Sequence, residues 1–334
     1  MKDWLEQVWY RPEPPPAWLR PLGLAYGAVA TRLAASRRRQ SQRLPVPVIV
    51  VGNVAVGGTG KTPCVLWLVE TLRGLGYRPG ILSRGYGGRG PFPFMVAPGA
   101  DPALCGDEPA LMAERGGVPL AVAPDRLAAG RLLLQRYPQT DVLVCDDGLQ
   151  HYRLQRDLEF CVVDGRRGYG NGWQLPAGPL REPPSRAGQA ALILVNGGDA
   201  SAFGPTAVGF SLVTASAVNL RSGERRPLRD FAATPVHAVA GIGNPGRYFD
   251  SLRVQGLQPV EHAFADHHAY TAADLDFGDA RPLLMTEKDA VKCRAFAAGH
   301  WWAVPASLQF TGDGAARVTE LLKAALRPAG RGSA

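Results

Sequence analysis

The chain is short of lysine: of its 37 basic residues only five are lysine and 32 are arginine. Three of those five, Lys61, Lys288 and Lys292, fall inside motifs described below. Cysteine is sparse and unpatterned. Cys64, Cys105, Cys145, Cys161 and Cys293 form no CxxC pair, which excludes a disulfide framework or a cysteine zinc site and fits a reducing compartment. No stretch reaches the about 20 apolar residues that a membrane-spanning helix needs. Repeats are absent, and low complexity is confined to the Gly/Ser tail at 330–334. With 46% apolar and 20% charged residues, a disordered, collagen-like or coiled-coil chain is also excluded. What remains is an ordinary globular composition, and 334 residues suffice for two or three domains with a sizeable core.

The net charge is +8, and it is concentrated. Residues 1–43 hold eight basic groups against three acidic ones, so five of the eight net charges lie there. A basic tag on a nearly balanced body argues against a nucleic-acid groove, which runs across a fold. Within the tag, eleven uncharged residues separate Arg20 from Arg32, and SRRRQSQR follows Ala35. This is too short to span a bilayer and lacks the order of a signal peptide. A helix lying in the interface fits, with Trp18 and Tyr26 at headgroup depth and the arginines on an anionic membrane surface. The plainer alternative is a helix docked on the protein's own core.

Val46–Val51 is a β-branched run that reads as a buried strand. It leads into Gly52-Asn53-Val54-Ala55-Val56-Gly57-Gly58-Thr59-Gly60-Lys61-Thr62, and a helix follows to about Gly74. Strand, glycine loop, Gly-Lys-Thr and helix is the context of a phosphate-binding loop. Glycines admit phosphate oxygens to backbone N–H groups, and the helix N-terminus adds positive potential. Lys61 would reach the β/γ-phosphates and the Thr62 hydroxyl a Mg²⁺ ion. One position departs from the strict pattern, which has Gly where this chain has Ala55.

Val142–Cys145 is an apolar strand ending in Asp146 and Asp147, the arrangement that brings a carboxylate to Mg²⁺ in nucleotide-binding sheets. Ser83-Arg84-Gly85-Tyr86-Gly87-Gly88-Arg89 follows another strand and is either a ligand loop or plain surface. Gly106-Asp107-Glu108-Pro109 opens a helix, where the acids either cap the dipole or aim a base at the phosphate site. Residues 170–183, rich in Gly and Pro, predict a shaped functional loop. From about residue 205 a hairpin over 210–224 is expected to link to a second α/β series, with Asp266-His267-His268 and Thr286–Lys292 at strand ends. Adjacent histidines on one loop do not easily chelate one ion together.

Together the stretches VGNVAVGGTGKTP, SRGYGGR, GDEP, DDGLQH, GNGWQLPAGPLREP, GIGNPGRYF, FADHHAY and TEKDAVK, spanning residues 51–292, resemble the tetraacyldisaccharide 4'-kinase family of lipid A synthesis. The resemblance implies an α/β fold. It has a P-loop NTPase-type parallel-sheet domain (44–208) and a smaller C-terminal α/β domain (209–330), joined by a β-hairpin linker, after the membrane-surface segment 1–43. It implies phosphoryl transfer from ATP, with Mg²⁺, to the 4'-hydroxyl of an acylated glucosamine disaccharide 1-phosphate. It also implies a peripheral position on the cytoplasmic face of the inner membrane. Carried over by motif, Asp107 is the base and His267, rather than His268, tunes it, with Lys61 as the third catalytic residue. ATP contacts fall on Val56, Gly57, Gly58, Thr59, Gly60, Lys61 and Thr62. Metal contacts fall on Thr62, Asp146, Asp147, Gln150 and Glu182, and Arg84 and Asn171 are sugar candidates. Because His267 comes from the second domain, closure is expected to complete the site. The motifs carry nothing on oligomeric state. A membrane-associated regulatory ATPase of the partition type would also have a Gly-Gly-x-Gly-Lys-Thr loop, but with a lysine before the two glycines, where this chain has Val56.

Overall fold

The structure, a computed structural model, describes residues 2–326. Fifteen strands form two sheets. The larger contains β1 (Val48–Gly52), β2 (Pro79–Ser83), β3 (Phe94–Val96), β4 (Leu120–Val122), β5 (Val142–Asp146), β6 (Leu158–Asp164), β7 (Leu192–Asn196) and β8 (Ala207–Val213). The smaller contains β9 (Ser216–Asn219), β10 (Arg225–Pro227), β11 (Val236–Ala240), β12 (Pro259–Ala263), β13 (Leu283–Thr286) and β14 (Trp301–Val304). A last strand, β15 (Ser307–Phe310), returns to the large sheet, whose order is β15-β8-β7-β6-β1-β5-β2-β4-β3. Between and around them run α1 (Lys2–Trp9), α2 (Arg20–Arg39), α3 (Lys61–Gly74), α4 (Pro102–Cys105), α5 (Asp107–Gly116), α6 (Arg126–Arg136), α7 (Pro245–Val254), α8 (Glu287–Cys293) and α9 (Gly314–Ala325).

The large sheet is parallel from β8 to β4 and has an antiparallel strand at each edge. Its central strands are buried along their whole length, which is why VIVVG and VLVCD read as unbroken apolar runs. Ile49 and Val51 face a core with α3, α5 and α9, while Val48 and Val50 face the opposite layer with α6. Alternation along β1 thus supplies both faces of a doubly wound sheet.

Sheet membership redraws the expected boundaries. The expected limit at 208/209 falls inside β8, which belongs to the large sheet. β15 pairs with β8 so that Phe310 lies opposite Phe210, and Val318, Leu322 and Leu326 of the C-terminal segment enter the large core. The small sheet therefore takes residues 216–304, and the chain crosses between sheets twice, at 214–215 and 305–306. Of the expected 210–224 hairpin the turn at 221–224 is present, between β9 and β10, but the strand entering it is broken, since β8 and β9 lie in different sheets. Residues 327–330 of the expected second domain lie outside the described residues.

Helix α2 lies against the body through Gly23 and Gly27, where a Cβ would meet Ala177 at 2.9 Å and the Gln174 amide at 2.3 Å. Its other side exposes Leu22, Leu24, Val29 and Leu33. No helix among the described residues is long and apolar enough to cross a membrane.

Candidate active site

The phosphate loop sits at the C-terminal end of β1, where open parallel sheets present their ligands. Gly57 and Gly60 adopt φ of +105° and +97°. A Cβ on Gly60 would also meet the Asn196 amide at 2.7 Å, so only glycine satisfies both demands. Gly57 and Gly58 face open space, leaving their backbone accessible to an anion. Asn53, wholly buried, donates from Nδ2 to Thr59 Oγ1 at 3.3 Å, and Asn196 Nδ2 donates to Thr59 O at 3.0 Å, so the loop is braced from within.

The 170–183 loop closes over the entry to the phosphate loop. Ala55 forms a β-bridge with Leu180, and Val56 N donates to Pro179 O at 2.9 Å. Ala55 is thus part of an extended zipper, which explains why glycine is not required there. The same bond corrects the expectation for Val56: its N–H is committed to Pro179 and is not free for a phosphate.

The two strand-end aspartates differ. Asp147, at φ +46°, accepts from Arg181 Nη1 at 3.0 and 3.1 Å and lies 3.6 Å from Lys61 Nζ. Burial alone would raise its pKa, but Lys61 and Arg181 outweigh burial and hold it well below the carboxylate range. Asp146 accepts from Ser83 Oγ at 3.1 Å, while its Oδ1 is buried without a partner. Burial first, then the nearby Glu108 and Asp147 charges, pushes Asp146 up to about 7. An orphaned buried carboxylate oxygen beside the phosphate loop fits a divalent cation. Among the described residues no three acidic, His or Cys side chains could hold an ion alone, as expected where phosphate oxygens complete the shell.

Gln150 and Glu182 are placed differently from expectation. Gln150 Nε2 donates to Asn53 O at 3.0 Å and Glu182 Oε2 at 2.9 Å, and Tyr152 OH donates to Glu182 Oε1. Both Glu182 oxygens are therefore occupied, and the pair forms a brace behind Asp147 instead of offering free metal ligands. Asn171 is likewise committed, donating to Val8 O at 3.2 Å and Ala177 O at 3.0 Å and accepting from Trp173 N, so it holds its own loop and not a sugar. Arg84 lines the cleft with Ser83, Tyr86, Glu108, Asp146 and His267.

Asp107 begins α5, and Gly106 before it lies against Tyr86 O so closely that a Cβ would clash at 2.3 Å. From the small sheet, His267 adopts φ +63° and places Nδ1 3.0 Å from Asp107 Oδ2. His268 points elsewhere, 3.5 Å from Asp274 and packed between the Phe264 and Tyr270 rings. No lobe movement is needed to form the Asp107–His267 pair in this structure. Helix α8 docks on α5, with Arg115 Nη1 2.7 Å from Glu287.

Residues given no role from the sequence complete the cleft. Lys292 Nζ lies 2.9 Å from Asp289, 3.9 Å from Asp107 and 2.9 Å from His268 O. Lys288 Nζ lies 3.4 Å from Asp266, 3.6 Å from Glu108 and 3.5 Å from His267 Nε2. Burial works to raise the Asp107 pKa, but the His267 hydrogen bond and the Lys292 and Lys288 charges more than offset it. Arg247 reaches across to Asn196, 2.8 Å to its Oδ1, and so joins the small sheet to the phosphate loop. Lysine scarcity was a signal for Lys288 and Lys292; Arg181 and Arg247 stood unremarked in motifs already noted.

Comparison with known proteins settles the family. Residues 16–327 match the profile of the family described as tetraacyldisaccharide-1-P 4'-kinase, LpxK. The chain belongs to that family. It is 53% identical over 300 residues to the tetraacyldisaccharide 4'-kinase of Pseudomonas paraeruginosa, covering 88% of this chain and 90% of that one. The Azotobacter vinelandii protein of the same name is 50% identical over 307 residues, 90% of this chain and 91% of that one. The crystal structure of Aquifex aeolicus LpxK in complex with ATP superposes with a TM-score of 0.79 at 27% identity, covering 93% of this chain and 99% of that one. The chain is accordingly a lipid kinase, an ATP:sugar-hydroxyl phosphotransferase that phosphorylates the 4' position of the lipid A precursor. The partition-type reading is not favoured.

Proposed function

We propose that Asp107 is the general base of this transfer and that His267 positions it. The observation that carries this reading is the 3.0 Å Asp107–His267 pair, which joins the two sheets beside the aspartate pair at the end of β5. ATP lies with its phosphates on the N–H groups of residues 57–62 and on Lys61, which exchanges Asp147 for phosphate. The 4'-hydroxyl oxygen attacks the γ-phosphorus as the bond to the bridging oxygen breaks. ADP leaves, and the hydroxyl proton passes to the Asp107 carboxylate. Thr62 and Asp146 are the residues that would hold Mg²⁺, which neutralises phosphate charge when bound. Asp147 acts by holding Lys61 and Arg181. Phosphoryl transfer depends on in-line placement and charge neutralisation more than on a strong base, which suits a carboxylate.

We infer also that residues 1–43 rest on an anionic membrane, with α2 in the interface. Among the described residues, six of the twelve large exposed apolar side chains lie in this segment, from Trp4 to Leu33. On this reading the enzyme is peripheral, on the cytoplasmic face of the inner membrane. The decisive experiment incubates the protein with γ-labelled ATP, Mg²⁺ and the disaccharide 1-phosphate in detergent. Labelled lipid is expected in wild type and is lost in Asp107→Asn; full activity in that variant would refute the base assignment.

A further inference from the structure

A cavity of about 670 Å³ lies away from the cleft. It opens where β6 and β7 begin, lined by Leu158, Glu159 and Ala191, whereas the phosphate loop is at the other end of the sheet. Its remaining wall is rich in arginine: Arg38, Arg43, Arg156 and Arg186, against two acids, Asp157 and Glu159. Three of these cations hold the fold. Arg43 pairs with Asp157, which also accepts from the first N–H of β1 at 2.8 Å. Arg156 spends its donors on Leu149, His151 and Leu154 carbonyls and on Glu159 at 2.7 Å. Arg186 donates to Tyr152 OH at 3.0 Å and Glu159 at 2.7 Å, yet its Nη1 is buried with no partner. That nitrogen is closed off from the cavity, so Arg186 contributes charge to the wall and no free donor.

Arg38 is the fourth. It stands eleven residues, three helical turns, beyond Gly27 and therefore on the same body-facing side of α2. Its guanidinium stacks 4.4 Å above the Tyr152 ring. Neighbouring Arg37 and Arg39 project about 100° to either side of that direction. The apolar stripe of Leu22, Val29 and Leu33 runs along the opposite side of the same helix.

We propose that this cavity is a second anion site, distinct from the ATP site, which takes the phosphate of an anionic lipid headgroup. The proposal rests on the membrane reading of α2 given above. With the stripe in the interface, Arg38 on the opposite side of α2 lies one helix diameter away, about 10 Å, which is the depth of the headgroups. Arg38 supplies the charge-assisted hydrogen bonds, the net positive wall supplies the field, and Tyr152 fixes the guanidinium plane. Lipid phosphate there would fix the orientation of the enzyme on the surface and not merely its attachment.

The test is cosedimentation of the full chain with vesicles of phosphatidylglycerol in phosphatidylcholine, compared with phosphatidylcholine alone. Arg37→Ala and Arg39→Ala remove the same charge without touching the cavity and should each lose about fivefold in binding, the worth of one surface cation. Arg38→Ala should lose at least about tenfold beyond them, with Arg38→Lys restoring only part, since a lysine cannot donate in a plane. Equal losses in all three alanine variants would overturn the site while leaving the membrane reading intact. Failure of wild type to bind phosphatidylglycerol vesicles would overturn the membrane reading itself, and the lipid site with it. Calorimetry with inorganic phosphate in a Lys61→Ala background, which weakens the phosphate loop, separates the sources. No Arg38-dependent heat is expected at millimolar phosphate; such heat would reassign the cavity to a soluble phosphate and overturn the lipid assignment.

Discussion

Replacing Asp107 by asparagine keeps its size and changes only charge and proton affinity. In the structure the carboxylate faces His267 at 3.0 Å and Lys292 at 3.9 Å. Its hydrogen bond and ion pairs go to the small-sheet side and not to the phosphate loop, so ATP binding should change little. A positioned general base contributes about 10²–10⁴ in rate. The expected fall in kcat is of that order, about 3–5 kcal/mol in the barrier. The stability cost should be small, about 1 kcal/mol, because Lys292 keeps its 2.9 Å pair with Asp289. The assay is label transfer to the disaccharide 1-phosphate in detergent at varied ATP, with melting curves by circular dichroism. A variant with kcat within threefold of wild type, or one whose ATP KM rises as steeply as kcat falls, would refute the reasoning. The pH profile adds an independent check. Burial raises the Asp107 pKa, but His267, Lys292 and Lys288 outweigh it, and the net direction is downward. The base is therefore ionised throughout the neutral range. An acid limb in wild-type kcat/KM that belongs to Asp107 must lie below the usual carboxylate range. The same carboxylate stabilises the fold above the unfolded pKa, and that contribution is lost as pH falls through the folded one.

Other perturbations test the remaining parts. Lys292→Met removes a cation from Asp107 and should move its acid limb upward, while Lys292→Arg keeps the limb low. Gly60→Ala forces a side chain into φ +97° and against Asn196; it should cost about 1–3 kcal/mol locally and raise the ATP KM with little effect on folding elsewhere. Asp146, pushed up to about 7 by burial and its acidic neighbours, must lose its proton to hold a cation. Binding of Mg²⁺ with nucleotide should therefore tighten as pH rises through 7 and release a proton measurable in weakly buffered solution, and Asp146→Asn should abolish that release.

The central sheet was legible because its physics is local. β1 and β5 are buried on both faces, so unbroken apolar runs announced parallel strands, and the phosphate loop between β1 and α3 followed from its glycines. What was not legible depends on partners. β8 and β9 are separated by two residues and look like one strand, but β8 pairs with β7 and β9 with β14. β3 is three residues long, and β15 gains its place only by lying against β8. Strand pairing over such separations leaves no periodicity in the sequence. The site divides in the same way. Lys61, Asp107, Asp146, Asp147 and His267 stood out because their motifs carry recognisable chemistry. The committed state of Gln150, Glu182 and Asn171 was hidden, since an amide or carboxylate looks the same in sequence whether its oxygens are free or taken.

The three cleft carboxylates show why partner identity matters more than residue type. Asp107 and Asp147 each face two or more cations, and both are held below the usual range despite burial. Asp146 lies beside Asp147 and Glu108 with one oxygen unpaired, and it moves the other way. Groups pushed apart in this manner are suited to different tasks. A carboxylate stabilised as the anion is always ready to accept a proton but is a weak base. That is adequate where the transition state is loose and the hydroxyl proton leaves late. A carboxylate destabilised as the anion gains most from a cation, because the cation removes the repulsion that raised it. The strongest ion pair at the strand end, Asp147 with Arg181 and Lys61, is then best understood as a holder that keeps Lys61 in reach of phosphate. If this division is right, Asp147→Asn should raise the ATP KM through a displaced Lys61, whereas Asp146→Asn should shift the Mg²⁺ dependence. A pair of variants that changed the same parameter would contradict it.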